Sequence, residues 1–265
     1  MTFLGHERIA DLRCISKAEG KFGVKGLEEA ANLLKLARNR AQNLGIWFHV
    51  GTQCVDVNCY AKALIYTGKV IAYACVPLEV IDVGGGFPVS YPDSIPPHLS
   101  SYMDIIQKGC KNLPLEFVSK ARVWCEPGRA LVATACSLII RVESRRGTTN
   151  ILYVNDGVYG NLHEAGPPRR WKFPFRLLRH SVAELASFAL SGPTSDEADY
   201  ISGPFVLPSD VSTGDYIELG QFGAYNTELR TSFSGFDQTV VTEAEKVLML
   251  MTPGLDDEET ELTTN

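Results

Sequence analysis

Several residues of this 265-residue chain are of types, and at spacings, that can do chemistry together. Glu126-Pro127-Gly128-Arg129 sets a carboxylate, a rigid turn and a guanidinium side by side. A carboxylate beside a pyridine nitrogen keeps that nitrogen protonated, and a guanidinium pairs with phosphate. Gly84-Gly85-Gly86 presents backbone N–H groups with no side chain in the way, which suits an anion. His49, with Gly51 and Thr52 after it, offers an imidazole to stack on a ring and a hydroxyl to reach phosphate. Tyr225, in Gly223-Ala224-Tyr225, is a further hydroxyl donor. Ser195-Asp196 joins a hydroxyl to a carboxylate, and a carboxylate at a cavity mouth can hold a substrate ammonium. Taken singly, each has a plain alternative: a glycine turn, a surface ion pair, a structural histidine, a helix cap. The ordered combination is the stronger signal.

These residues need elements to position them, and the first half of the chain supplies an alternating pattern. Leu27–Asn43 has apolar residues at helical spacing (Ala30, Leu33, Leu34, Ala37, Ala41), and Ile46–Val50 is an apolar strand candidate ending at His49. Tyr60–Cys75 predicts a second helix, and Val80–Val83 a strand running into the three glycines. Leu99–Leu113 predicts a third helix, and Arg122–Cys125 a third strand ending at Glu126. Strands alternating with helices imply a parallel sheet, and each motif of this half falls at the C-terminal end of a strand, the functional rim of a (β/α) barrel. After about Ala135 the segments Leu138–Val142, Ile151–Val154, Phe188–Leu190 and Tyr216–Leu219 are short and β-rich.

The expected fold is therefore α/β plus β. An incomplete (β/α) TIM-type barrel over residues 1–134 is followed by a mostly-β domain over 135–252 and a disordered acidic tail over 253–265. The first half yields fewer strands than a closed barrel of this type takes, so the barrel is expected to be open.

Composition narrows the function classes. A net charge of −6, with no basic stripe, argues against nucleic acid as a partner. No apolar run is long enough for a bilayer, and Met1–Ala10 lacks a secretory pattern. Seven cysteines without a CxxC pair fit neither a disulfide nor a zinc framework, which makes a reducing cytoplasm the plain expectation.

In order, the motifs His49-Val50-Gly51-Thr52-Gln53, Asp82-Val83-Gly84-Gly85-Gly86-Phe87-Pro88, Glu126-Pro127-Gly128-Arg129, Tyr153–Gly160, Gly192-Pro193-Thr194-Ser195-Asp196 and Gly223-Ala224-Tyr225 resemble the ornithine/lysine decarboxylase family. Its members are pyridoxal 5'-phosphate enzymes of the alanine-racemase-like fold. The resemblance runs from about Lys21 to Phe236, and Gly192–Asp199 looks like the bacterial branch.

That resemblance implies roles for individual positions. His49 stacks on the pyridoxal ring, Thr52 touches the phosphate, and Gly84, Gly85, Gly86, Pro127, Gly128 and Arg129 cradle it. Glu126 pairs with the ring nitrogen and Tyr225 donates to the phosphate. Asp196, reaching in from the other subunit of a homodimer, holds the distal ammonium of a small basic amino acid, with Tyr159 on the substrate side. Aspartate at 196 suits ornithine or lysine rather than diaminopimelate.

Two departures stand out. Nothing in the sequence matches the lysine that holds the cofactor covalently in the family, and Lys69 reads as a surface residue of a helix. Ser195 occupies the position of the family's proton-donating cysteine, and a hydroxyl is a far weaker acid than a thiol of pKa about 8.5. The sequence thus reads as an N-terminally shortened decarboxylase that converts L-ornithine to putrescine in polyamine biosynthesis. The alternatives are a non-catalytic homologue that binds a protein partner and the product of a decayed gene.

Overall fold

In a computed structural model the chain is described over residues 2–3, 23–24, 26–147 and 149–244. The expected acidic tail at 253–265 lies outside these. The described residues form two compact units, one lying within 1–89 and 95–130, the other within 90–94 and 131–244.

The first unit is built on a parallel sheet in the order β1-β2-β3-β4, with β1 at Thr2–Phe3, β2 at Gly45–Trp47, β3 at Val80–Asp82 and β4 at Arg122–Trp124. Ile46 pairs with Ile81, and Ile81 with Val123. Helix α1 (Leu27–Arg38) buries Ala30, Ala31 and Leu34 and carries Glu28 and Glu29 in its first turn, Lys35 and Arg38 in its last. That charge order complements the helix dipole. The helix stops five residues short of the expected Asn43, and the Arg38 guanidinium reaches forward to the carbonyls of Ala41 and Gln42 just beyond its end. Glu79 accepts from both Arg38 (2.9 Å) and the Leu44 N–H (2.6 Å), so the turn into β2 is tied to the start of β3.

Helix α2 (Asn58–Ala74) buries Tyr60, Ala63, Leu64, Thr67, Val70, Ile71 and Ala74, a one-sided stripe at helical spacing, and ends on Cys75 in the left-handed region. Lys69 lies on its exposed side, as expected from the sequence. Helix α3 (Leu99–Lys111) adds Tyr102 and Ile106 to the same core, and a separate turn, α4 (Leu115–Val118), precedes β4. The helices also reach the sheet's C-terminal rim. The Tyr60 hydroxyl donates to the Gly85 carbonyl at 2.9 Å, and the Tyr102 hydroxyl to the Cys54 carbonyl at 2.9 Å. With Phe87 stacked on Tyr60, these aromatic rings couple core packing to the rim loops. Central strand β3 is buried throughout, whereas every residue of β4 is exposed.

After α5 (Arg129–Val132), the second unit forms a six-stranded sheet in the order β7-β10-β5-β6-β8-β9. The strands are β5 (Leu138–Arg145), β6 (Ile151–Val154), β7 (Phe175–Leu177), β8 (Leu185–Ser191), β9 (Tyr200–Pro208) and β10 (Tyr216–Leu219). Pairing is antiparallel except between β6 and β8. A four-residue turn, α6 (Asn226–Leu229), follows β10.

The sequence pattern misses β9, the longest strand, because Gly203-Pro204 interrupts it. Proline lacks the N–H that a central strand must donate, but β9 is an edge and pairs only with β8, so the loss is tolerated. Strand β7 is missed because it is only three residues long. The six described cysteines are free thiols, no described residues form a metal-type cluster, and no described helix is long and apolar enough to cross a membrane.

Candidate functional site

The tips of β2, β3 and β4 bring three of the sequence motifs into direct contact. His49 lies two residues past the end of β2, and its Nδ1 accepts the Gly85 N–H at 3.1 Å. This bond leaves Nε2 to carry the proton of the neutral ring. The Gly84 carbonyl accepts the Glu126 N–H at 2.8 Å, and the Gly86 carbonyl accepts the Cys54 N–H at 2.8 Å. The glycine segment is thus sewn to the His49 loop on one side and to the Glu126 loop on the other.

Close approach explains why these positions are glycine. A Cβ on Gly84 would sit 2.1 Å from the Phe48 carbonyl oxygen, on Gly85 2.5 Å from that of Glu126, and on Gly86 2.2 Å from that of Gly51. Gly84 and Gly86 also have φ of 66° and 100°, in the left-handed region.

Two residues inside the motifs, given no role by the sequence, hold the rim. Gln53, buried and left-handed, clasps Val89 by donating to its carbonyl (2.5 Å) and accepting its N–H (3.2 Å), as a neighbouring strand would. Asp82, at the end of β3, accepts the Gly84 N–H at 2.9 Å. Burial pushes the Asp82 carboxyl above its usual range, the Gly84 bond opposes this, and the nearby Glu126 charge raises it further.

The sign of the pH dependence follows. A group whose native pKa is raised contributes most below its unfolded pKa, and that contribution is lost as pH rises through the native value. Asp82→Asn keeps an oxygen for Gly84 but removes the charge. It is expected to raise stability above that window and to flatten the stability–pH slope, as urea unfolding between pH 4 and 8 would measure. A wild-type slope retained in the variant would rule this out.

Thr52 is half-buried in the His49 loop, Pro127 and Gly128 are half-buried after Glu126, and Arg129 is buried at the start of α5. Trp47, the last residue of β2, was not singled out from the sequence. Its indole Nε1 donates to Glu126 Oε2 at 2.8 Å, and its ring lies 20° from the plane of His49 with centroids 6.1 Å apart. The available signal was strand alternation, since residues 47 and 49 fall on one face.

In the second unit another set of motifs converges. The Tyr159 hydroxyl donates to Asp196 Oδ2 at 2.5 Å. That bond, with the Ala198 N–H, holds the Asp196 carboxyl below its usual range, and the carboxylate in turn raises the Tyr159 phenol. Their loops are joined by Asp199, which the sequence reading left without a role. Its buried carboxylate accepts the Val158 N–H (2.8 Å), the Thr194 N–H (3.1 Å) and the Thr194 hydroxyl (2.8 Å). Ser195 sits between Thr194 and Asp196 on this turn. Tyr225 opens α6 in the left-handed region and is 44% exposed. The unit also contains a cavity of about 750 Å³ lined by Trp171, Phe173, Tyr200 and Phe205 among others.

Residues 7–133 match the pyridoxal-binding domain of pyridoxal-dependent decarboxylases. The chain belongs to that family. It is 30% identical to the ornithine decarboxylase of Saccharomyces cerevisiae over 250 residues, covering 83% of this chain and 52% of the yeast protein. Identity to the lysine/ornithine decarboxylase of Selenomonas ruminantium is 31% over 222 residues, covering 82% of this chain and 54% of that protein. The crystal structure of the Vibrio vulnificus lysine/ornithine decarboxylase complexed with cadaverine superposes with a TM-score of 0.70 at 29% identity, covering 82% and 59% of the two chains. The chain spans about half the length of the curated relatives it matches. Pyridoxal phosphate is the cofactor of the family, and the fold is that of its decarboxylases, with four parallel barrel strands among the described residues.

Proposed function

We propose that this chain carries the cofactor rim and the substrate-anchoring carboxylate of a decarboxylase acting on a small basic amino acid, with L-ornithine, giving putrescine, as the preferred substrate. The observation that supports this most is the convergence of His49, Gly84–Gly86 and Glu126 at three adjacent strand tips through direct hydrogen bonds.

The residue types present fit pyridoxal phosphate. Thr52, Gly86, Gly128, Arg129 and Tyr225 are assigned to its phosphate, His49 to its ring face and Glu126 to its ring nitrogen. When bound, the cofactor supplies the electron sink for the bond that releases carbon dioxide. Glu126 would keep the ring nitrogen protonated. Asp196, which Tyr159 favours in its charged form, pairs with the distal ammonium of the substrate. Ser195 stands at the proton-donor position, where its hydroxyl is a weak acid. The assembly proposed is a cytoplasmic homodimer in which each subunit lends Asp196 to the other.

Grafting this chain onto the N-terminal half of the Selenomonas ruminantium enzyme tests the reading at saturating pyridoxal phosphate. Carbon dioxide release from labelled ornithine is expected to exceed that from lysine and to fall about a hundredfold in Asp196→Ala, on the scale of losing a charged anchor. Release from neither substrate would end the proposal. The second reading, a non-catalytic homologue, is favoured by one observation, the Trp47 indole seated on Glu126.

A further inference from the structure

The residues of β2 alternate, and the buried side chains flanking Trp47 are Ile46 and Phe48. Trp47 itself is only half-buried and faces the other way, on the His49 side. Its size is therefore not set by the core of the first unit.

The indole makes two contacts at once: its ring N–H donates to Glu126 Oε2 at 2.8 Å, and its plane lies within 20° of His49. Those are the two contacts assigned above to the pyridoxal ring, a nitrogen–carboxylate bond and a face turned to an imidazole. The geometry points to Trp47 as a resident occupant of the ring place, one that holds the cofactor ring off Glu126 until the indole swings away. This inference rests on the reading of His49 and Glu126 as the ring contacts.

Bulk decides the competition more than hydrogen-bond capacity, because a carboxylate accepts several donors whereas one volume holds one ring. The exchange is reversible. An indole N–H makes a neutral-donor bond to the carboxylate, while a protonated ring nitrogen makes a charge-assisted one about twice as strong. Ring affinity is lowered by the fraction of chains in which the indole is in place, so the wild-type protein binds weakly rather than not at all. Glu126 and His49, the groups these two contacts engage, are both assigned to the ring rather than to the phosphate, so affinity for a bare anion is expected to be unaffected.

Pyridoxamine 5'-phosphate is the probe, because it binds the site without condensing with surface lysines. Equilibrium dialysis of the full chain is expected to show at least a tenfold gain in affinity for Trp47→Ser over wild type. Trp47→Phe, which keeps a ring but loses the N–H, should fall between them, and it decides the matter if the serine variant does not fold. Inorganic phosphate should bind the three proteins equally. Equal pyridoxamine phosphate affinity in wild type and variants overturns the inference and leaves the cofactor-site reading standing. A parallel gain for inorganic phosphate overturns it as well, since ring exclusion would not be the cause. Binding by none of the proteins overturns both the inference and the reading beneath it.

Discussion

Gly84→Ala is expected to destabilise the first unit by roughly 2–5 kcal/mol and to dismantle the rim. The estimate sums a left-handed residue, about 1–2 kcal/mol, and overpacking of about 1–3 kcal/mol. The added Cβ would meet the Phe48 carbonyl oxygen at 2.1 Å and the His49 Cα at 3.2 Å, both backbone atoms that cannot rotate aside. Relief requires the β2 tip or the β3 tip to move; either strains the Gly85–His49 bond, and movement of the β3 tip strains the Glu126–Gly84 bond as well. Gly147→Ala is the matched control. That glycine is also left-handed, at 56°, but nothing lies within 4 Å of its added Cβ, so only the conformational cost of about 1–2 kcal/mol remains. Urea unfolding of both variants measures the difference, and equal losses at the two sites would refute the steric account.

The second large effect is expected at Asp199. Its buried carboxylate satisfies three half-buried donors from two loops, and Asp199→Ala leaves all three without their acceptor. A buried donor left without an acceptor costs about 1–3 kcal/mol, and because water can reach these half-buried donors in part, a total of roughly 1–3 kcal/mol follows. Gly157 and Gly192 crowd the same carboxylate so closely that a Cβ on either would lie 2.0 and 2.2 Å from it, and the pocket cannot accept a larger substitute. With the loops unpinned, Tyr159 no longer finds Asp196, and the Asp196 carboxyl should titrate back toward its ordinary range. Carbon-13 NMR of the carboxylates checks this directly. A variant as stable as wild type, with Asp196 still titrating low, would show that Asp199 is not the hub.

Much of the scaffold was legible because its physics is local. Apolar residues three and four apart in Leu27–Arg38 and Asn58–Ala74 force one-sided helices, and the short apolar runs before His49, Gly84 and Glu126 could only be strands between them. The helix ending at Arg38 is shorter than its apolar spacing suggests, and the long-range tie that holds the turn after it, Glu79 to Arg38 and Leu44, leaves no periodic trace. Strand β9 was lost because proline is penalised by its lack of an N–H, and whether that matters depends on a neighbour the sequence does not name.

At the site the division runs between residue type and partner. The motif order, the carboxylate at 126, the imidazole at 49, the serine at 195 and the absence of a matching lysine were fixed by the chain itself, and they placed it among pyridoxal-dependent decarboxylases. Which group each of them touches was decided only by folding. Trp47 and Glu126 are 79 positions apart, and Gly85 and His49 are 36 apart; Val158 and Asp199 are separated by 41. A hydrogen bond is set by a distance of about 3 Å and an angle, and chain topology alone brings such distant groups within that range.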